Sequence, residues 1–215
     1  MKLYLASGNR HKQQEMQQIL PAFDICIPND AGIAFEPEET GATFEENSLI
    51  KARALWNLVH EPVIADDSGL CVTCLNGAPG IYTSRYAGAA YMQGRPNGAK
   101  IPQAEQNRLL IEQVNALHTN DRSCHYVCAM VLYLAPERYF VAQEAFEGTL
   151  IDSIEKAAGT GGFVYDPIVY LPSHHKTIAE ISAEEKNALS HRGKAARAIA
   201  AILQTLNSEK KIKNL

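Results

Sequence analysis

The 215-residue sequence lacks a basic surplus: 24 acidic residues against 20 lysines and arginines leave a net charge of -4 at pH 7. A general nucleic-acid binder carries the opposite balance, so nucleic acid is not expected as a partner. A small anionic ligand stays compatible, because a few placed lysines outweigh a weak global field. No apolar run approaches the roughly 18–20 residues needed to cross a bilayer, so no membrane partner is expected. The start, Met1-Lys2-Leu3-Tyr4-Leu5-Ala6-Ser7-Gly8, is interrupted too soon for a signal peptide and reads as a first strand, which places the protein in the cytoplasm. Cysteine is scarce and odd in number: Cys26, Cys71, Cys74, Cys124 and Cys128 lie in apolar surroundings that fit reduced core thiols rather than a disulfide framework. Cys71-x-x-Cys74 and Cys124-x-x-x-Cys128 fall in β-rich runs rather than turns, which argues against zinc. No internal repeat or second domain boundary is visible. The length suits one substantial core, or two lobes sharing a sheet.

What is present centres on Val63-Ile64-Ala65-Asp66-Asp67-Ser68-Gly69. A short apolar run leads into two carboxylates, a hydroxyl and a glycine, as if a buried strand ended at the mouth of a site. Neighbouring strand side chains point to opposite faces, so Asp66 and Asp67 are expected to do different jobs. A solvated strand end followed by a turn is the plainer alternative.

In chain order, Lys2–Ala6 reads as a strand and Ser7-Gly8-Asn9 as the turn ending it. A helix is expected from about His11 to Leu20. Strand, glycine turn and helix present backbone N–H groups to an anion, and Lys12 in the first helical turn makes sense if an anion sits there. Phe23–Ile27 is a second strand, followed by an acidic loop with Glu36, Glu38 and Glu39. Thr43-Phe44-Glu45-Glu46 is a capping box opening a helix to about Val59. Its core stripe is Ser48, Ala52, Leu55, Trp56 and Val59, and Asn47 and Lys51 share another face.

Beyond Gly69 the strand pattern resumes through Leu75, and residues 88–102 read as a long loop. A helix over about Gln103–Leu117 uses Leu109, Leu110 and Val114. Ser123–Leu134 and Arg138–Phe146 form an unusually long hairpin, with a further short strand at Gly148–Ile151. Gly159-Thr160-Gly161-Gly162-Phe163-Val164-Tyr165-Asp166 joins unobstructed backbone to two aromatics, a combination suited to stacking a flat base. Ser182-Ala183-Glu184-Glu185 is another capping box. The last helical region runs to about Leu206 with a break near Ser190–Gly193, and residues 208–215 are expected to be a frayed tail.

Six blocks in order resemble the inosine triphosphate pyrophosphatase family. They are Ser7-Gly8-Asn9-x-x-Lys12-x-x-Glu15, Thr43-Phe44-x-Glu46-Asn47-Ser48-x-x-Lys51-Ala52, Ala65-Asp66-Asp67-Ser68-Gly69-Leu70, Gly77-x-Pro79-Gly80-x-Tyr82-x-x-Arg85-Tyr86, Gly162-Phe163-x-Tyr165-Asp166-Pro167, and Lys176-Thr177-x-Ala179-Glu180 continuing to Glu185-Lys186-Asn187-x-x-Ser190-His191-Arg192. The resemblance implies an α/β fold, a mixed twisted sheet with flanking helices forming two lobes around a nucleotide-binding cleft. It implies one domain over residues 1–207 and a homodimer.

The implied activity is hydrolysis of non-standard purine nucleoside triphosphates (dITP, ITP, XTP) to monophosphate and pyrophosphate. Glu39 and Asp67 would hold Mg2+, with Asp67 also the general base and Asp66 its support. Substrate would be met by Ser7, Gly8, Asn9, Arg10, His11, Lys12, Lys51 and Ser68. Phe163, Val164, Tyr165 and Asp166 would form the base pocket, with Lys186, His191 and Arg192 closing it. The family usually has glycine where this chain has Val164, and the 88–102 loop is longer than the family leads one to expect. Two rivals are a septum-inhibitor type pyrophosphatase acting on pyrimidine or modified nucleotides, and a nucleotide sensor without catalysis. The sensor would require the acid positions to be lost, and Glu39, Asp66 and Asp67 are all present.

Overall fold

A seven-stranded mixed sheet in the order β2-β1-β3-β4-β5-β6-β7 organises the chain. The strands are β1 (Lys2–Leu5), β2 (Asp24–Cys26), β3 (Val63–Val72), β4 (Ser123–Ala135), β5 (Arg138–Leu150), β6 (Val169–Leu171) and β7 (Lys176–Thr177). Among the described residues the α-helices are α1 (Arg10–Ile19), α2 (Phe44–Val59), α3 (Gln103–Asn115), α4 (Ala183–Leu189) and α5 (His191–Lys213). The computed structural model describes residues 2–160 and 162–213, with side chains to 206 and at 208. Gly161 of the glycine-rich stretch and the last two residues of the expected tail lie outside the described residues.

The chain divides into two compact units. The first comprises residues 1–67, 128–144 and 187–215, the second residues 68–127 and 145–186. In the first, β1 runs parallel to both β2 and β3, with Tyr4 opposite Val63 and Leu5 opposite Ile64. Two crossovers through α1 and α2 therefore place consecutive strands on opposite sides of β1. The side-chain alternation of β1, β3 and β4 sorts into two apolar layers. Leu3, Leu5, Ile64, Met130 and Leu132 pack with Met16 of α1 and Ala195, Ala196, Ile199 and Leu203 of α5. Tyr4, Ala6, Val63, Ala65, Val131 and Tyr133 pack with Ala52 and Leu55 of α2. Strands buried on both faces explain the near-continuous apolar runs of this region.

Local signals set the helix ends. Asn9 caps α1, its Oδ1 accepting from the His11 and Lys12 N–H groups at 2.8 and 3.3 Å. Thr43 caps α2 through its hydroxyl and the Glu46 N–H at 3.1 Å, while the Glu46 carboxylate reaches back to the Ala42 N–H. Ser182 caps α4 in the same way through the Glu185 N–H. The expected break falls at Ser190, between α4 and α5. A side chain on Gly193 would meet the Asn187 carbonyl at 1.9 Å, so that junction requires glycine.

Four sequence expectations are corrected. First, the strand that continues past Gly69 stops at Val72 rather than Leu75: Thr73–Leu75 form a short 3-10 helix, and the acid pair sits mid-strand. Second, β5 continues to Leu150, absorbing the separate strand expected at Gly148–Ile151. Third, the buried face of α3 is Gln106, Asn107, Leu110, Ile111 and Val114, with Leu109 only half-buried. Fourth, α5 continues past Leu206 to Lys213. All five cysteines are free thiols, with Cys71, Cys124 and Cys128 buried. Among the described residues, no helix is long and apolar enough to cross a membrane.

Candidate functional site

In an α/β sheet, ligands gather where neighbouring parallel strands send their crossovers to opposite faces, outside the strands' carboxyl ends. In the first unit that place is the end of β1, where Ser7-Gly8-Asn9 leads into α1 and β3 runs on past its partner. Asp66 and Asp67 stand on that overhang.

The two-residue alternation of β3 decides what each aspartate meets. Asp66 shares the face of Ile64, toward α1 and α5. Lys12 of α1 places its ammonium 3.0 Å from both Asp66 oxygens. Arg192 of α5 donates through Nε to Asp66 Oδ2 at 3.1 Å and through a terminal nitrogen to Glu15 at 2.9 Å. Asp66 is 2% exposed. Burial alone would raise its pKa, but Lys12, Arg192 and Lys51 outweigh burial and hold the carboxyl well below the usual range.

Asp67 shares the face of Ala65, toward α2. Asn47 donates to Asp67 Oδ2 at 3.1 Å, and the Lys51 ammonium lies 3.6 Å from Oδ1. The same ammonium is 2.9 Å from Glu39, on the acidic loop before α2. Burial raises the Asp67 pKa, and Glu39 and Asp66 add to the rise. Lys51 and Asn47 offset only part of it. Lys51 stays protonated despite burial, because Asp67, Asp66 and Glu39 surround it with negative charge. Asn47 is itself fixed by the Gly41 N–H at 2.8 Å. The next residue, Ser48, places its hydroxyl 2.9 Å from the Ala65 and Ala129 carbonyls, tying α2 to β3 and β4.

The chemistry of Glu39 and Asp67 fits a hard divalent cation. Both are oxygen donors, and the two carboxylates share the single positive charge of the Lys51 ammonium. Among the described residues no group of three or more His, Cys, Asp or Glu side chains forms a ready-made cage. Magnesium is commonly held by one or two carboxylates, completed by water and substrate phosphate.

The other candidates fall into place as follows. Ser7 is half-buried and accepts from the Asn9 N–H at 3.1 Å, whereas Gly8, Asn9, Arg10 and His11 are exposed. The Asn9 carboxamide occupies part of the α1 N-terminus that a bound anion would use, and Arg10 pairs with Asp30. Ser68 is half-buried on β3.

In the second unit, Asp166 is 1% exposed and accepts from the Phe163 N–H at 2.7 Å, with Lys186 as its ion-pair partner. A side chain on Gly162, at φ +83°, would meet an Asp166 oxygen at 2.1 Å, so this loop requires glycine there. Val164 keeps a negative φ, and its β-branch is accommodated without left-handed backbone. Tyr165 is fully buried, its hydroxyl donating to the Thr83 carbonyl at 3.2 Å. It therefore supports the loop from inside and offers no open face for stacking.

Arg192, which the resemblance assigns to the base pocket, is 6% exposed and pairs with Asp66 and Glu15, with His191 buried beside it in sequence. Asp166 acts as the hub of its loop. Sequence reasoning assigned no site role to Asn47 and Glu15. The spacing of Asn47 four residues before Lys51, and of Glu15 three residues after Lys12, carried that signal.

The fold and this cluster define an α/β protein whose acidic strand overhang is served by cations from flanking helices. The sequence matches the Ham1 family over residues 3–202, and the chain belongs to that family. It is 46% identical over 204 residues to a dITP/XTP pyrophosphatase of Treponema denticola, covering 95% of this chain and 99% of the relative. It is 42% identical to a dITP/XTP pyrophosphatase of Streptomyces coelicolor, covering 95% and 98%. A solved HAM1 protein from Coxiella burnetii superposes with a TM-score of 0.83 at 35% identity, covering 95% of this chain and 99% of that one. The Staphylococcus aureus Ham1 protein gives 0.77, also at 35% identity, over 95% and 99%.

Proposed function

We infer that the protein hydrolyses non-standard purine nucleoside triphosphates, dITP, XTP and ITP, to the nucleoside monophosphate and pyrophosphate. It thereby keeps these bases out of the nucleotide pool. The observation that carries this is the pairing of Glu39 and Asp67 on Lys51 at the end of β1, in a Ham1 family chain. Lys12, Lys51 and the Ser7–His11 turn meet the phosphates, whose several negative charges demand cations and N–H donors. Ser68 contacts phosphate or ribose. Mg2+ is assigned to Glu39 and Asp67; when bound it neutralises phosphate charge and polarises the phosphorus centre.

Asp67, with its raised proton affinity, takes a proton from water as the water oxygen bonds to the α-phosphorus. The bond from that phosphorus to the bridging oxygen breaks, and pyrophosphate leaves. Asp66, saturated by Lys12 and Arg192, stays ionised and holds Lys12 in place. Phe163, Val164, Asp166 and Lys186 are assigned to the base, with Tyr165 behind them. Donors aimed at the purine 6-position accept an oxo group, and an amine there would leave them unsatisfied at about 1–3 kcal/mol each. Homodimeric assembly and a cytoplasmic site of action complete the reading, both on the strength of the family resemblance.

The test is pyrophosphate release from dITP, XTP, ITP, dATP, dGTP and the pyrimidine triphosphates, with and without Mg2+. Magnesium-dependent turnover confined to the first three is expected. Preference for pyrimidines would favour the septum-inhibitor type, and tight ITP binding with no turnover would favour a sensor.

A further inference from the structure

We propose that Gln103, the first residue of α3, sets the discrimination against guanine and adenine by occupying the acceptors of the base loop. This rests on the assignment of residues 163–166 to the purine base. The Gln103 carboxamide nitrogen lies 2.6 Å from the Val164 carbonyl oxygen and 3.2 Å from that of Phe163. Both partners are acceptors, so only the NH2 side of the carboxamide satisfies them, one hydrogen to each.

The Phe163 carbonyl also accepts the Asp166 N–H at 3.0 Å, so both of its lone pairs are engaged. The Asp166 carboxylate, a further strong acceptor, is engaged by the Phe163 N–H and Lys186. The clamp is anchored at each end. Gln106, one turn along α3, donates to the Tyr86 carbonyl at 2.8 Å, and Tyr165 is held by Thr83.

The chemical consequence separates the purines. Hypoxanthine and xanthine carry only oxo groups outside the ring, whereas adenine carries a 6-amine and guanine a 2-amine. An amine brought to this loop finds the Phe163 carbonyl filled and must share the Val164 carbonyl with Gln103. Guanine, which shares the 6-oxo group, is rejected on this basis by its 2-amine. Gln103 is thus a positioning residue with no role in the chemical step.

The test compares wild type with Gln103→Met, which keeps the length and removes the donors, and Gln103→Glu, whose carboxylate is repelled by the two carbonyls. Values of kcat and KM are measured separately for dITP, dGTP and dATP, along with thermal midpoints. The kcat/KM preference for dITP over dGTP and dATP should fall about tenfold in Gln103→Met, the scale of one hydrogen bond gained or lost. The shift should come through KM for the amine-bearing purines, with kcat for dITP and the midpoint retained, and Gln103→Glu should move the same way. Unchanged preference in both variants overturns the inference, as does an equal loss of kcat on all three substrates. A wild type inert toward dITP overturns the assigned function, and this inference with it.

Discussion

Asp66 and Asp67 are neighbours on β3, yet their carboxyls are driven in opposite directions. Asp66 is held far below the usual range by Lys12, Arg192 and Lys51 against its burial, whereas Asp67 is raised by burial, Glu39 and Asp66. Alternation on one strand accomplishes this, sending Asp66 to the α1 and α5 layer and Asp67 to the α2 layer. Two carboxylates with separated proton affinities are the arrangement from which acid–base roles are assigned.

Asp67→Asn keeps the size and the Asn47 contact but removes the base. Pyrophosphate release from dITP should drop by about 100-fold or more, the usual contribution of a positioned general base. The circular-dichroism spectrum and thermal midpoint should be retained. Near-wild-type turnover would remove Asp67 from the reaction.

Asp66→Asn should damage stability more than any other change at the site. It leaves the Arg192 guanidinium, 6% exposed, with Glu15 and without its buried partner on β3. Breaking a buried pair from one side costs about 3–5 kcal/mol, read as a lower urea midpoint. The wild-type pH dependence follows the same link. The Asp66 pKa is depressed on folding, so its stabilising contribution is complete above the unfolded value of about 3.9 and lost as pH falls toward the folded value. The Asp66→Asn variant should show a flatter acid limb of stability. A variant matching wild type in both respects would contradict the ion-pair account.

Lys12→Ala removes a cation from the phosphate end while Arg192 still holds Asp66. Affinity for a non-hydrolysable ITP analogue should weaken about tenfold or more, measured by calorimetric titration, with the wild-type salt dependence reduced. Unaltered affinity would place the triphosphate elsewhere.

Lys51→Met tests the tuning of Asp67. Lys51 is the main influence lowering the Asp67 pKa, so its removal raises that pKa further. Asp67 acts in its ionised form, so the rate is lost as pH falls through its pKa. The acid limb of kcat/KM for dITP should therefore move to higher pH in the variant, whatever the change in maximal rate. A limb that stays put, or moves to lower pH, would separate Lys51 from the base.

Much of this architecture was legible because its causes are local. Capping side chains at Thr43 and Ser182, the break at Ser190 and the apolar stripe through Ala52 and Leu55 follow from nearest-neighbour chemistry. The division of labour between Asp66 and Asp67 was also legible, since strand periodicity is a property of the backbone. What failed was the placing of ends. The apolar run through Leu75 keeps a strand pattern, yet the chain leaves the sheet at Val72 and winds into a short 3-10 helix over Thr73–Leu75. The short strands β6 and β7 have too few residues to show a period.

The sequence by itself determined which residues carry charge, where helices start and that the two aspartates look toward opposite layers, because these depend on spacing along the chain. Only the tertiary structure decided their partners. Arg192 carries no sign of a partner in its neighbouring sequence until α5 packs beside β3 and buries it against Asp66. Tyr165 reads as a stacking ring until Thr83 holds it inside. Gln103 carries no motif at all until α3 brings its carboxamide to the carbonyls of Phe163 and Val164. Contacts between segments far apart in sequence are chosen by the packing of whole layers, and the energies that select them exist only once those layers have formed.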